Sequence, residues 1–260
     1  MRLCADYSTG LNAALVTNNF PLPTPEKIFS KVSGSKIFSI IDLSDAYLQV
    51  EVDDKSKKLL TINTHRGLFR FNRLAPGVKS APGIFQQLMS KMVSGIRGVE
   101  VFLDDILVHS KTLEEHNRIL NMLFRRLFEY GFHLRAEKCR LYQDQIKYLG
   151  HIISARGIQP DPAKIAAILK MPAPTDVTTL RSFLGAVNFY GKFVREMHQL
   201  RHPLDNLLKK DTKFEWNLEC ENAFSNIKRV LQSELLLTHY NPEQEIIVAG
   251  DASKTGIGAV

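Results

Sequence analysis

Three cysteines in 260 residues are too few and too scattered to staple this chain together. Cys4, Cys139 and Cys220 stand far apart and are odd in number, so they exclude a disulfide framework, offer no metal-ligand spacing and suit a reducing compartment. No apolar run approaches the roughly 20 residues that cross a bilayer. The opening Met1-Arg2-Leu3-Cys4-Ala5-Asp6 lacks the apolar core of a signal peptide. Internal repeats and low-complexity tracts are missing too. These absences set aside a small secreted scaffold, a membrane span and a solenoid.

The chain that remains is 44% hydrophobic with 15 glycines and 11 prolines, a globular balance. Its length suits one large domain or two smaller ones. A net charge of +7 suits a polyanionic partner, although many ordinary proteins share such a balance.

Asn18-Asn19-Phe20-Pro21-Leu22-Pro23-Thr24-Pro25 is forced into extended backbone by its alternating prolines. A short helix is expected over Ile28 to Val32, ending near Gly34. The apolar run Ile37-Phe38-Ser39-Ile40-Ile41 predicts a buried strand that runs into Asp42. Leu48, Val50 and Val52 alternate with polar residues, which predicts a half-buried strand. Residues 61–71 read as a hairpin around Arg66-Gly67. Ser80 opens a helix with Ile84, Phe85, Leu88, Met89 and Met92 on one face. Thr112-Leu113-Glu114-Glu115 is a capping box before a helix with Leu120, Leu123, Phe124, Leu127 and Phe128 on one side, stopped by Gly131. Residues 146–153 predict another hairpin. Two further helices carry Leu180, Phe183, Leu184, Val187 and Tyr190, then Ala223, Phe224, Ile227, Val230 and Leu231; Asp161-Pro162 marks an earlier helix start. Residues 245–251 read as a last strand ending on Asp251. Frequent tight hairpins among helices point to an α+β fold, a sheet backed by helices on one face.

One stretch organises this pattern. Val99 to Leu103 reads as a strand and Ile106 to Val108 as a second one, joined at Asp104-Asp105. Two carboxylates about 4 Å apart repel by roughly 4 kcal/mol at an effective dielectric near 20. Solvent, protonation or a divalent cation relieves such repulsion, so a solvated turn and a metal site both stay open for an isolated Asp-Asp. The metal reading needs a third carboxylate. Asp42 shares the same architecture, an aspartate closing an apolar strand. If the strands are neighbours, three carboxylates meet at one sheet edge, and hard oxygen donors of this kind select Mg²⁺ or Mn²⁺.

The residues around these aspartates carry a resemblance. Phe38-Ser39-Ile40-Ile41-Asp42-Leu43-Ser44-Asp45-Ala46-Tyr47 resembles motif A of reverse transcriptases. Leu74-Ala75-Pro76-Gly77-Val78-Lys79-Ser80-Ala81-Pro82-Gly83-Ile84-Phe85-Gln86 resembles motif B, and Phe102-Leu103-Asp104-Asp105 resembles motif C. Glu137-Lys138-Cys139 is similar to motif D, and Tyr148-Leu149-Gly150-His151 to motif E, the primer grip. Arg2 to Tyr7 resembles the preceding fingers segment; Leu180 to Gly185 and Asp251-Ala252-Ser253 resemble the thumb and the opening of a ribonuclease H domain. The ordered set resembles the Pol polyprotein of gypsy-type long-terminal-repeat retrotransposons (Metaviridae).

That resemblance implies a right-hand polymerase: partial fingers and palm over residues 1–155, thumb and connection helices over 156–212, and the start of a ribonuclease H-like domain over 213–260. It implies RNA-directed DNA synthesis, with transfer from a dNTP to a primer 3′-hydroxyl on an RNA or DNA template. Two Mg²⁺ or Mn²⁺ ions would be held by Asp42, Asp104, Asp105 and the Leu43 carbonyl. Arg2, Asp45, Ala46, Tyr47, Pro76 and Lys138 would bind the nucleotide, with Tyr47 as the steric gate against a ribose 2′-hydroxyl. Gly77, Lys79, Leu149, Gly150 and His151 would contact template and primer. No membrane partner is implied, and the setting would be intracellular, a cytoplasmic particle or the nucleus.

The chain departs from the family in places. Motif B usually reads Leu-Pro-Phe-Gly, and here Ala75 and Pro76 stand in its middle. Motif C usually begins with tyrosine, here Phe102, and Ser8 replaces the arginine after Asp6-Tyr7. On the family pattern the chain is truncated at both ends, and Asp251 is followed by no acidic residue, so no ribonuclease H activity is expected. A catalytically silent remnant that at most binds nucleic acid is the second reading.

Overall fold

A computed structural model of the protein describes residues 5–8, 10–194, 197–210, 212–233, 237, 239, 250–253 and 256–259, the last two segments as backbone alone. Arg2, most of the predicted C-terminal strand and the side chain of Asp251 lie outside the described residues.

Helices α1 (Leu11–Ala14) and α2 (Pro25–Lys31) flank the proline-rich segment. Thr24 caps α2 by accepting the Lys27 N–H, and Pro25 occupies the first helical position, where no N–H is needed. Strand β1 (Ile37–Asp42) follows. Beyond it Asp45 takes a φ of 46° and turns the chain into a single 3₁₀ turn, Ala46–Gln49. The alternation at residues 48–52 therefore does not become a regular strand. Those residues make only an irregular pairing, with Leu74 N–H donating to Val50 O and a lone bridge between Glu51 and Arg73.

Next come α3 (Asp54–Leu59), capped by Asp53, and the exposed hairpin of β2 (Thr61–Thr64) and β3 (Gly67–Arg70). Helix α4 (Ala81–Met92) buries Phe85, Gln86, Met89 and Met92, whereas Ile84 is exposed on its outer side. The hairpin of β4 (Val99–Phe102) and β5 (Asp105–Ser110) leads to α5 (Leu113–Glu129). Thr112 caps α5 through the Glu115 N–H, while Glu115 reaches back to Lys111 N–H, so the box is not closed on Thr112 itself. Leu120, Leu123 and Leu127 face inward, and Phe128 points to solvent.

Strand β6 (Arg140–Gln143) completes a four-stranded antiparallel sheet in the order β4-β5-β1-β6. The next three strands, β7 (Gln145–Tyr148), β8 (His151–Ser154) and β9 (Gly157–Pro160), form a second antiparallel sheet that runs across residue 155. Helices α6 (Pro162–Leu169), α7 (Val177–Phe189), α8 (Met197–Asn206) and α9 (Leu218–Leu231) follow, then the backbone pair β10 (Gly250–Ser253) and β11 (Gly256–Ala259). Phe224 of α9 packs on Phe183 of α7 at 4.7 Å between ring centres.

Side chains alternate across a strand, so the palm sheet divides its apolar residues between two cores. Ile41, Val99, Val101, Ile106 and Val108 pack with α4 and α5. Phe38 and Leu107 pack on the opposite face, with the second sheet and α7 to α9. The first sheet is thus covered on both faces, where helices on one face alone are expected.

A buried polar knot ties this sheet to α5. Fully buried His116 has Nε2 at 2.7 Å from Ser39 Oγ and Nδ1 at 2.9 Å from Ser110 Oγ. Ser110 donates its own proton to the Thr112 carbonyl, so it accepts from His116 Nδ1–H. Ser39 then donates to the bare Nε2 and accepts the Tyr142 N–H. Burial disfavours the imidazolium, and on the neutral ring the Ser110 bond places the proton on Nδ1.

Candidate active site

Register brings the carboxylates together. Asp42, the last residue of β1, is paired with Asp105, the first residue of β5. Directly opposite residues of an antiparallel pair point to the same face. By alternation it is the face of Phe38, Ile40 and Leu107, the one that looks toward the second sheet and α7 to α9. Asp104 stands one residue earlier, exposed on the turn. That turn is Leu103-Asp104, one residue before the expected Asp104-Asp105, because Phe102 pairs with Asp105 and draws Asp105 into the strand.

Three like charges at one edge leave a trace. The Asp105 carboxyl is pushed up to about 6, first by burial and then by Asp104 and Asp42. Among the described residues no three side chains of His, Cys, Asp or Glu converge as a preformed metal cage. The donor set nevertheless fits a hard divalent cation, since three acceptor-only carboxylates share one electrostatic field. The Leu43 carbonyl stands beside them. Its bridge with Leu134 uses the flanking Ser44 N–H and Asp42 C=O, which leaves Leu43's own carbonyl out of that bridge.

Two buried groups hold the hairpin. Gln86 Oε1 accepts the Leu103 N–H at 2.7 Å, and Gln86 Nε2 donates to Val101 O at 3.1 Å and Ser90 Oγ at 3.2 Å. Leu103 sits at a φ of 55°. Left-handed backbone costs an ordinary L-residue about 1–2 kcal/mol. On the other side the Tyr148 hydroxyl donates to Asp105 O at 3.2 Å. Gln86 and Tyr148 were part of recognised motifs, but spacing alone gave neither a role; only the folded contact does.

Tyr47 lies in the 3₁₀ turn with its ring 4.9 Å from that of Phe85. Burial, then the charge of Asp104, raises its hydroxyl above the usual range, which sets it in the field of the carboxylates. Ala46 is buried, and exposed Asp45 pairs with Arg135 at 3.5 Å. Pro76 is half-buried in front of Gly77. Gly77 takes a φ of 95°, and a Cβ there would meet the Ala5 carbonyl at 2.6 Å. Asn12 clamps this loop, donating to Gly77 O at 2.9 Å and accepting the Lys79 N–H at 2.8 Å.

Lys138 is exposed and lines a cavity of about 330 Å³ with Ile40, Arg140, Lys147, Leu149 and Gly150. Three cations therefore border the face of β1 that ends on Asp42. The turn Leu149-Gly150 has both residues at positive φ, 46° and 74°, as a two-residue hairpin requires. The His151 side chain does not reach the surface: its ring is fully buried among Phe29, Phe189, Tyr190 and Phe193, at 4.9 to 5.8 Å between centres, where it packs the turn against α2 and α7.

Residues 2–153 match the model of the family described as reverse transcriptase (RNA-dependent DNA polymerase). Residues 216–260 match an RNase H-like domain found in reverse transcriptase. The uncharacterized protein K02A2.6 of Caenorhabditis elegans is 48% identical over 200 residues, covering 76% of this chain and 16% of the relative. The transposon Tf2-3 polyprotein of Schizosaccharomyces pombe is 34% identical over 262 residues, covering 100% of this chain and 20% of the relative. The chain thus spans a fifth or less of the length of these relatives. A foamy viral protease–reverse transcriptase solved with double-stranded DNA superposes with a TM-score of 0.89 over 97% of this chain and 45% of that one, at 24% identity. A foamy viral protease–reverse transcriptase solved with an RNA/DNA hybrid gives 0.83 over 95% of this chain and 34% of that one, at 24% identity. At that identity the likeness establishes the fold.

Proposed function

The chain belongs to the reverse transcriptase family, and from that premise we propose that it is the nucleotidyl-transferring core of a Pol polyprotein of a gypsy-type long-terminal-repeat retrotransposon. The observation that carries this reading is the pairing of Asp42 with Asp105, with Asp104 on the adjoining turn. It sets three carboxylates at the edge of a sheet, with Tyr47 in the field of Asp104 and the Leu149-Gly150 turn lining a cavity beside Ile40 of β1.

The family uses divalent metal ions. In this chain Asp42, Asp104, Asp105 and the Leu43 carbonyl would hold two Mg²⁺ or Mn²⁺ ions, which supply Lewis-acid polarisation of the primer hydroxyl and charge for the leaving pyrophosphate. The protein's own groups do the rest. Asp105, with its raised carboxyl, is the ligand most in need of a cation at neutral pH. Asp45 and Ala46 offer backbone N–H groups to the triphosphate, and Arg2 pairs with its phosphates. Tyr47, braced by Phe85, stands where a ribose 2′-hydroxyl would press. Pro76 lines the nucleotide pocket with no aromatic or polar group. Gly77 and Lys79 face the template, and the Leu149-Gly150 backbone with Lys138 faces the primer strand and departing pyrophosphate. Sequence information comes from base pairing, so phosphate contacts matter more than base contacts. An intracellular setting, a cytoplasmic particle or the nucleus, accords with the three separate cysteines.

The test is primer extension on poly(rA)·oligo(dT) with Mg²⁺ or Mn²⁺. Incorporation that Asp104→Asn abolishes would establish the enzyme. Absent incorporation, with salt-sensitive primer–template binding retained, would leave the silent-remnant reading in its place.

A further inference from the structure

We propose that Gln86 is a positioning residue for the catalytic turn: by accepting the Leu103 N–H it holds Leu103 in left-handed backbone, and so sets the direction in which Asp104 leaves the hairpin. The consequence for catalysis rests on the polymerase reading above; the clamp itself does not.

The two hairpins beside the site make the case by contrast. In the β7–β8 turn Leu149 takes the first positive φ, 46°, next to a glycine, Gly150, that takes the second, 74°. Glycine adopts that region without steric cost. The β4–β5 turn has no glycine. Leu103 stands at its first position with a φ of 55°, and a leucine side chain offers no local hydrogen bond to offset the strain. The compensation comes from 17 residues away in sequence. Gln86 is 1% exposed on a helix face otherwise made of Phe85, Met89 and Met92, an apolar setting that tolerates an amide only where its polar atoms are used. All of them are. The carbonyl takes Leu103 N–H, and the amide spans to Val101 O and Ser90 Oγ. Val101 and Leu103 lie on either side of Phe102, so one side chain grips the strand end and its turn together. Asp104, the next residue, is exposed and inherits its direction from Leu103.

The test uses the full chain and two readouts. In ¹⁵N-leucine-labelled protein the Leu103 amide reports the clamp; Mn²⁺ titration followed by electron paramagnetic resonance reports the carboxylate edge. Gln86→Met keeps an unbranched side chain and removes both polar ends. It is expected to speed Leu103 amide exchange about tenfold or more and to weaken Mn²⁺ by about tenfold. Leu103→Gly in the Gln86→Met background is expected to bring Mn²⁺ affinity back to within about threefold of Leu103→Gly alone, because glycine needs no clamp. A Gln86 that merely fills the core would not be rescued by a glycine in the turn. Leu103→Val, at a half-exposed position, leaves the core intact and should weaken Mn²⁺ even with Gln86 present, which decides the matter should Gln86→Met not fold. Unchanged Leu103 exchange in Gln86→Met, or a Mn²⁺ loss that Leu103→Gly does not correct, overturns the proposal. If the unaltered chain binds no Mn²⁺, the metal reading of the edge fails, and Leu103 exchange alone rules on the clamp.

Discussion

The Tyr148 hydroxyl donates a hydrogen bond to the backbone carbonyl of Asp105. It ties the strand that ends at the Leu149-Gly150 turn to the strand that begins with Asp105. Tyr148 is buried, and its hydroxyl is held far above the usual range by burial first and the Asp105 charge next, so it acts as a donor at every working pH.

Tyr148→Phe keeps the ring and deletes this one bond. The expected cost is about 1 kcal/mol, or a fall in melting temperature of roughly 2–4 °C for a chain of this size. If the bond registers primer against carboxylates, primer extension should fall several-fold with primer–template affinity little changed. Calorimetry and single-nucleotide extension read the two effects. An unchanged extension rate would reduce Tyr148 to a packing role.

Acid should weaken the fold through histidine. His109 is pushed down to about 4, mainly by burial, with Lys31 and His116 acting the same way and Glu115 against. Its neutral ring has Nδ1 at 2.8 Å from Ser35 Oγ. A base whose folded pKa is lowered is neutral in the fold when the unfolded chain already binds a proton. Its stability contribution is therefore intact above about pH 6.5 and is lost progressively down to about pH 4, by up to about 3 kcal/mol. His116, lowered by burial, acts in the same direction. Urea unfolding at pH 7 and pH 5 measures the loss. His109→Gln should flatten the dependence; a profile identical to that of the unaltered chain would contradict the assignment.

Asp105 works the other way. Its raised carboxyl means that ionising it costs the fold as pH rises from about 4 through about 6. Asp105 is half-exposed, so after solvent screening the cost is no more than about 1 kcal/mol. Asp105→Asn should therefore melt slightly higher than the unaltered chain at pH 7 without divalent ions. Adding Mn²⁺ should raise the melting temperature of the unaltered chain by several degrees through linkage, and that of Asp105→Asn by clearly less. Equal shifts for both would remove Asp105 from the ligand set.

Gly77→Ala should be severe. The new Cβ would press on the Ala5 carbonyl at 2.6 Å, and a φ of 95° is unfavourable to alanine whatever the space. A loss of about 2 kcal/mol or more is expected in chemical denaturation. Alanine tolerated without loss would show that the loop moves.

Tyr47→Val should admit ribonucleotides, raising their incorporation relative to deoxynucleotides, while Tyr47→Phe should not. Ratios of kcat/KM for the paired nucleotides give the answer. The Tyr47–Phe85 contact predicts some loss of stability in the valine variant as well.

Much of this molecule was legible from local chemistry. The apolar run at residues 37–41 and the caps at Thr112 and Asp161 reappear as β1, α5 and α6, because caps and hydrophobic periods act over a few residues. The alternation at residues 48–52 misled, since the left-handed Asp45 and the Gln49 side chain, which bonds across to the chain at His133, claim that segment. His151 was legible as part of a motif, yet its burial was not, because the rings around it come from residues 29, 189, 190 and 193.

Short windows of residues were enough to place Asp42 at the end of β1 and Asp104-Asp105 beside a tight turn, and to give the order of the motifs and hence the family. What those aspartates face was set by strand pairing and helix docking. Register set Asp42 against Asp105, moved the turn back to Leu103-Asp104, and brought Gln86 and Tyr148 to the hairpin from 17 and 43 residues away. Local periodicity says which face of a strand a residue occupies. Which residues meet it there depends on cross-strand pairing and helix docking, and no short window of sequence contains both partners.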